Sequence, residues 1–161
     1  MNEPAIEQAV GADDFAVVDE DVTLTASLRG SFAICIYDAL EESGALIHLR
    51  SGDHAAARDP ELTDNTLLSN LALLERTLRT LQATSPRAQH WQAKLVAHIE
   101  DSPTARERFK ALQEFISTYL LDAQVKLLSA RIGLRPQMRI RFRPVMGQVE
   151  TDEATIPEGQ P

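Results

Sequence analysis

The sequence is short of the residues on which several classes of site depend. Its single cysteine, Cys35, excludes an internal disulfide framework and a cysteine-based zinc cage. Its seven glycines are scattered, so there is no glycine-rich phosphate loop, and its four histidines lack paired metal-binding spacing. Five Phe, two Tyr and one Trp are too few for a base-stacking surface. We therefore expect no cofactor, no metal site and no nucleic-acid partner.

Long apolar runs are also missing. No run reaches the roughly 18 residues of a membrane-spanning helix, and the N-terminal residues MNEPAIEQAVGADD carry no basic segment typical of a secretory signal. These features predict a cytoplasmic protein without membrane insertion.

Basic residues are absent from both ends of the chain. Residues 1–21 hold seven acidic residues and residues 150–161 hold four, whereas residues 22–149 hold 13 acidic and 16 basic residues. A chain of 161 residues is about the length of one domain. We predict an acidic flexible N-terminus over 1–12, one domain over 13–149 and an acidic flexible tail over 150–161. Whether the acidic ends shield a basic face of this domain is a question that the sequence leaves open.

Strand patterns fill the first fifty residues. Apolar runs or alternating segments bounded by turn residues predict an antiparallel meander of four strands, at 14–18, 22–26, 32–37 and 45–49. Residues 91–97 alternate as a further strand, and 124–131 with 138–145 predict a closing hairpin.

Two helices are predicted in the second part of the chain. A leucine stripe spaced by three and four predicts a helix over 67–81, capped by Thr63 or Asp64 and stopped at Pro86. Ser102-Pro103 is a start signal for a second helix. The order of elements predicts an α+β fold, a single-domain layered sandwich with a mixed or antiparallel sheet. We expect eight helical residues to pack on it: Leu68, Leu71, Leu74, Leu78, Phe109, Leu112, Phe115 and Ile116.

Two features of the predicted strands bear on function, a cysteine and a set of alternating arginines. Cys35 lies within an apolar run and is expected to be a buried hydrophobe rather than a reactive thiol. Arg139, Arg141 and Arg143 alternate, so on a strand their side chains share one face. That face is either a solvated surface or a binding site for an acidic partner.

The stretch TASLRGSFAICIYD from Thr25 to Asp38, followed by SGALIH ending at His48, resembles the chemoreceptor glutamine deamidase family (CheD). Members carry a Thr, then Leu-Gly-Ser-Cys, an apolar strand ending in Cys and Asp, and a Gly-(Gly/Ala)-x-x-His segment. Without gaps, Thr25 aligns with the family's Thr, Ser31 with its nucleophilic Cys and His48 with its catalytic His. Cys35 aligns with a second, non-catalytic Cys. The resemblance covers about residues 12 to 150.

The resemblance implies a layered α/β sandwich that deamidates glutamine side chains of chemoreceptors. It assigns the nucleophile to Ser31, proton transfer to His48 and the orientation of that histidine to Thr25. The sequence departs from the family at the nucleophile position and at two glycine-containing segments. Ser31 replaces the thiol, Arg29-Gly30 replaces Gly-Ser, and Ala97-His98 replaces Gly-Gly. A register with one deletion puts Phe32 at the Cys position, so neither register supplies a thiol.

Three hypotheses remain open. The chain is a divergent protein-glutamine deamidase, with catalysis weakened or lost because Ser31 replaces the cysteine. Alternatively, it is a non-catalytic binding module, with Arg139, Arg141 and Arg143 meeting chemoreceptor cytoplasmic helices or a chemotaxis phosphatase. In the third hypothesis the resemblance reflects ancestry only.

Overall fold

Nine strands and two long helices make up the part of the chain that this computed structural model describes, residues 6–50, 65–134 and 137–154. The helices are α1, Asn65–Thr84, and α2, Pro103–Asp122. The strands are β1 Ile6–Ala9, β2 Asp14–Val18, β3 Val22–Leu28, β4 Ser31–Asp38, β5 Ser43–Arg50, β6 Gln92–His98, β7 Lys126–Gly133, β8 Gln137–Arg143 and β9 Gln148–Ala154.

The strands form two sheets. The larger has the order β2-β5-β4-β6-β7 and the smaller the order β1-β3-β8-β9. Both are mixed, because β1 runs parallel to β3 and β6 parallel to β7, whereas the other pairs are antiparallel. The predicted α+β layered sandwich is confirmed.

Strand β4 lies at the centre of the larger sheet, and all eight of its residues are buried. Side chains alternate between the two faces of a strand. Phe32, Ile34 and Ile36 therefore pack in one apolar cluster with the helices. Ala33 and Cys35 face the other way, into a second cluster shared with the smaller sheet. The molecule thus has three layers: helices, the five-stranded sheet and the four-stranded sheet.

The helices follow their sequence signals closely. The Ser102 hydroxyl accepts a hydrogen bond from the Ala105 N–H and Pro103 occupies the first helical turn, so the predicted start of α2 is confirmed. Helix α1 ends at Thr84, before Pro86. Its predicted cap at Thr63 or Asp64 lies outside the described residues.

The predicted helical core holds with one exception among the side chains that the structure describes. Leu74 and Ile116 are buried, and Leu78, Phe109 and Leu112 pack partly buried beside them. Phe115 is 41% exposed and packs beside Tyr119 on the rim, so its prediction as a core residue is wrong. The buried stripe of α2 continues from Ile116 to Leu120, which leaves Phe115 at its edge. Leu71 is half-buried, and the side chain of Leu68 lies outside the described part.

Two predicted strand pairings are wrong. Strand β3 belongs to the smaller sheet, so the first strands do not form one meander, and β7 and β8 lie in different sheets and form no hairpin. Because both faces of β4 are apolar, it needs a layer on each side, and β3 supplies part of that second layer instead of pairing with β4. Strand β7 returns parallel to β6 after α2.

Both acidic ends contribute strands to the smaller sheet. Strand β1 lies within the predicted flexible segment 1–12, and β9 extends to Ala154, within the predicted tail 150–161. Strand β1 pairs with β3 and β9 pairs with β8. The Glu7 side chain of β1 reaches across β3 to form ion pairs with Arg139 and Arg141 of β8. The sheet therefore extends beyond both predicted domain boundaries, residues 13 and 149.

Asp38 closes the end of β4 and is 1% exposed. One carboxylate oxygen accepts the N–H groups of Leu40 and Glu41, and the other accepts those of Gln89 and His90. Desolvation is the largest single influence and raises the pKa of Asp38, but the four hydrogen bonds together hold that pKa below its ordinary value. The ionised carboxylate thus ties the β4–β5 turn to the segment before β6.

Asp38→Asn should lower the free energy of unfolding at pH 7 by about 2–3 kcal/mol, because an amide leaves N–H donors without an acceptor. The pKa is lower in the folded chain than in the unfolded one. The stabilisation by the charge is therefore complete above the unfolded pKa of about 3.9 and is lost as the pH falls through the folded value. Denaturant titrations should show that the difference in free energy of unfolding between wild type and Asp38→Asn becomes smaller below about pH 4. The exposed Asp122→Asn is the control; an equal loss there would contradict the assignment.

Candidate functional site

Ser31 and His48 meet at one end of the layer between the two sheets. Ser31 is the first residue of β4, and His48 lies on the adjacent β5, opposite Ala33. Ala33 faces the layer between the sheets, so His48 and Ser31 face it too. The Ser31 Oγ lies 3.0 Å from His48 Nε2, and each residue is 4% exposed. The structure thus brings together the two residues that the resemblance pairs.

The second ring nitrogen of His48 fixes the direction of this hydrogen bond. His48 Nδ1 lies 3.0 Å from the carbonyl oxygen of Val10. A carbonyl can only accept, so Nδ1 carries the proton and, in the neutral ring, Nε2 is an acceptor. The Ser31 hydroxyl therefore donates to Nε2. This is the arrangement in which a histidine can take the proton of a serine nucleophile.

The segment from Val10 to Asp13 is held over His48 by three further contacts. The Val10 N–H donates to the Thr25 carbonyl oxygen, and the Asp13 N–H donates to the His48 carbonyl oxygen, both at 2.8 Å. The Asp13 carboxylate pairs with Arg50 at 2.7 Å. The carbonyl that orients the imidazole is therefore anchored to β3 on one side and β5 on the other.

The turn before Ser31 is tied to the same site. The Arg29 N–H donates to Ser31 Oγ at 3.2 Å, and Gly30 adopts a left-handed φ of 58°. The Gly30 N–H donates to His98 Nδ1 at 2.8 Å. The hydroxyl of Ser31 thus has one acceptor, His48, and one donor, Arg29. In the sequence, His98 stands out only as a departure from the family pattern, and no local signal ties a residue on β6 to this turn.

Thr25 is not brought to the imidazole. Its neighbours Leu24 and Ala26 pack between the sheets, so the Thr25 side chain lies on the outer face of the smaller sheet, beside Arg141. Both nitrogens of His48 are already bonded to Ser31 and Val10. Thr25 contacts this segment through its backbone, as the acceptor of the Val10 N–H.

The three alternating arginines share that outer face, and acids from the N-terminal part pair with them. Glu7 lies 2.9 Å from Arg141 and 3.6 Å from Arg139. Asp21 receives two hydrogen bonds from Arg143, at 2.6 and 2.8 Å, which lower the pKa of Asp21. Each arginine remains about half exposed. Glu7 and Asp21 of the acidic N-terminal segment therefore pair with the arginine face.

A cavity of about 380 Å³ is lined by Arg131, Arg141, Glu150, Thr151 and Asp152, and neither Ser31 nor His48 lines it. The described part of the chain holds no group of three or more His, Cys, Asp or Glu side chains that could bind a metal ion. In the same part of the chain, neither helix has the length and apolarity to cross a membrane.

No family model and no curated protein matches the chain.

Cys35 is fully buried in the layer between the sheets, and this desolvation raises the pKa of its thiol. The prediction that Cys35 is buried is confirmed.

The native protein should react with a thiol reagent such as Ellman's reagent only as fast as it unfolds, because Cys35 is its one thiol. In denaturant one thiol per chain should react within seconds. Rapid reaction under native conditions would contradict the burial of Cys35.

Proposed function

We propose that the chain is a CheD-like protein that acts in the cytoplasm on glutamine side chains of chemoreceptors, with Ser31 as nucleophile and His48 as base. The observation that carries this is the 3.0 Å contact between Ser31 Oγ and His48 Nε2, in a ring whose other nitrogen donates to Val10. The substrate class comes from the resemblance to the family. Thr25 contributes through its carbonyl rather than its hydroxyl.

The proposed reaction needs no metal and no cofactor. His48 Nε2 takes the proton of Ser31 as Oγ attacks the carbonyl carbon of the side-chain amide. The same proton passes to the amide nitrogen, and ammonia leaves as an acyl ester forms on Oγ. Water then attacks the ester, with His48 again moving the proton, and releases glutamate and the free hydroxyl. Because a hydroxyl gives up its proton far less readily than a thiol, we expect slow turnover.

Mass spectrometry of a purified chemoreceptor cytoplasmic domain, incubated with the protein, tests the proposal. Conversion of glutamine to glutamate gives a small, site-specific mass gain. The wild-type protein should produce it slowly, His48→Ala should lose it by a factor of at least about 100, and Ser31→Cys should raise it. His90→Ala is the matched control, since His90 is exposed and only its backbone bonds to Asp38.

The outcomes separate the hypotheses. A gain with wild type that disappears in His48→Ala supports an enzyme. A gain only with Ser31→Cys means that the site is intact but that the native chain does not turn over. No gain with either protein contradicts the assignment of substrate or site.

A binding module is the second candidate, and the burial of the site favours it. Ser31 and His48 lie in the closed layer between the sheets, and the Gly30 N–H is already bonded to His98. In this proposal Arg139, Arg141 and Arg143 meet acidic groups of a chemoreceptor helix or a chemotaxis phosphatase. Their existing ion pairs are exposed, and such pairs are weak enough for a partner's carboxylates to replace.

Arg139→Glu with Arg141→Glu should reduce capture of a receptor cytoplasmic domain in a pull-down by at least about tenfold, because like charges then face each other. Glu7→Gln should increase capture, since it removes the acid that competes for the same arginines. Arg106→Glu, at another exposed ion pair, is the control. Capture unchanged by the double substitution would exclude this surface.

A further inference from the structure

A second histidine lies at the Ser31 turn with no role in the proposed reaction. His98 is the last residue of β6, the strand that borders β4 on the side away from β5. Phe32 pairs with Ala97, so His98 stands next to Ser31 across the strand pair. Its Nδ1 accepts the Gly30 N–H at 2.8 Å.

We infer that His98 is a positioning residue for Ser31, which it acts on through the Gly30 N–H; the inference rests on the proposed function in taking residue 31 as the reacting centre. The two residues Arg29 and Gly30 connect the two sheets. Gly30 has a left-handed φ of 58°, and the Arg29 N–H bonds to Ser31 Oγ. The conformation of this turn therefore sets the position of the hydroxyl, and His98 ties the turn to β6.

The bond also fixes the tautomer of His98. An N–H donor requires a free lone pair on Nδ1, so the neutral His98 carries its proton on Nε2, the opposite of His48. The acceptor is therefore needed at the δ position of the side chain. Asparagine offers an oxygen at that position, whereas glutamine places its polar atoms one carbon further out.

This difference supplies the test. In a Ser31→Cys background, the rate of labelling of the thiol at position 31 by iodoacetamide is followed by peptide mass spectrometry, with the buried Cys35 as internal reference. His98→Ala and His98→Gln should each slow labelling about tenfold, because the turn no longer holds the thiol against His48. His98→Asn should stay within about threefold of the parent. Equal rates in all four proteins, faster labelling in His98→Ala, or rescue by Gln but not Asn would overturn the inference.

A second measurement needs neither a reactive site nor a substrate. The Gly30 amide should be protected from hydrogen exchange in the wild-type protein and in His98→Asn, and should lose at least about tenfold of its protection in His98→Ala and His98→Gln. Nitrogen chemical shifts should show Nδ1 of His98 unprotonated. An unprotected Gly30 amide in wild type would overturn the role of His98. Absent receptor deamidation with these results intact would contradict only the proposed function.

Discussion

The whole structure depends on a strand that has no exposed side. Strand β4 pairs with a neighbour on each edge and is covered by helices on one face and by the second sheet on the other. A strand buried in this way has polar residues only at its ends, because an unpaired polar group inside is costly. Ser31 stands at one end and Asp38 at the other. At the Asp38 end, backbone N–H groups satisfy the carboxylate. At the Ser31 end, the hydroxyl is hydrogen-bonded to the His48 side chain.

The pair at Ser31 is built mainly by backbone groups. His48 is oriented by the Val10 carbonyl and Ser31 by the Arg29 N–H, while Gly30 is held by His98. Satisfied polar groups of this kind allow a hydroxyl and an imidazole to stay in a buried layer with one fixed hydrogen-bond direction. The same arrangement serves a nucleophile and a base, and it also serves as a stable polar end to a core. The geometry fits both a catalytic pair and a structural pair, so only a test of reactivity at residue 31 distinguishes them.

Local pattern predicted much of the fold, and long-range pairing accounts for what it missed. A short apolar run marks the strand at 32–37, and Ser102-Pro103 marks the start of α2, because both signals act within a few residues. Such local signals do not say which strands lie side by side, so the predicted pairings of β3 with β4 and of β7 with β8 are wrong. The contact of Ser31 with His48 could be predicted from the spacing of a family motif. The contacts that Val10 and His98 make at the site could not be predicted, because both residues come from distant parts of the chain.

The outer arginines show the same limit and connect it to the site. Alternation predicts that Arg139 and Arg141 share a face, but their partner Glu7 lies more than 130 residues away in sequence. Strand β1 carries Glu7, has only four residues and is exposed along its length. Three residues after Glu7, Val10 holds His48. The ion pairs of Glu7 with Arg139 and Arg141 and the orientation of the imidazole between the sheets therefore both depend on the position of one short edge strand.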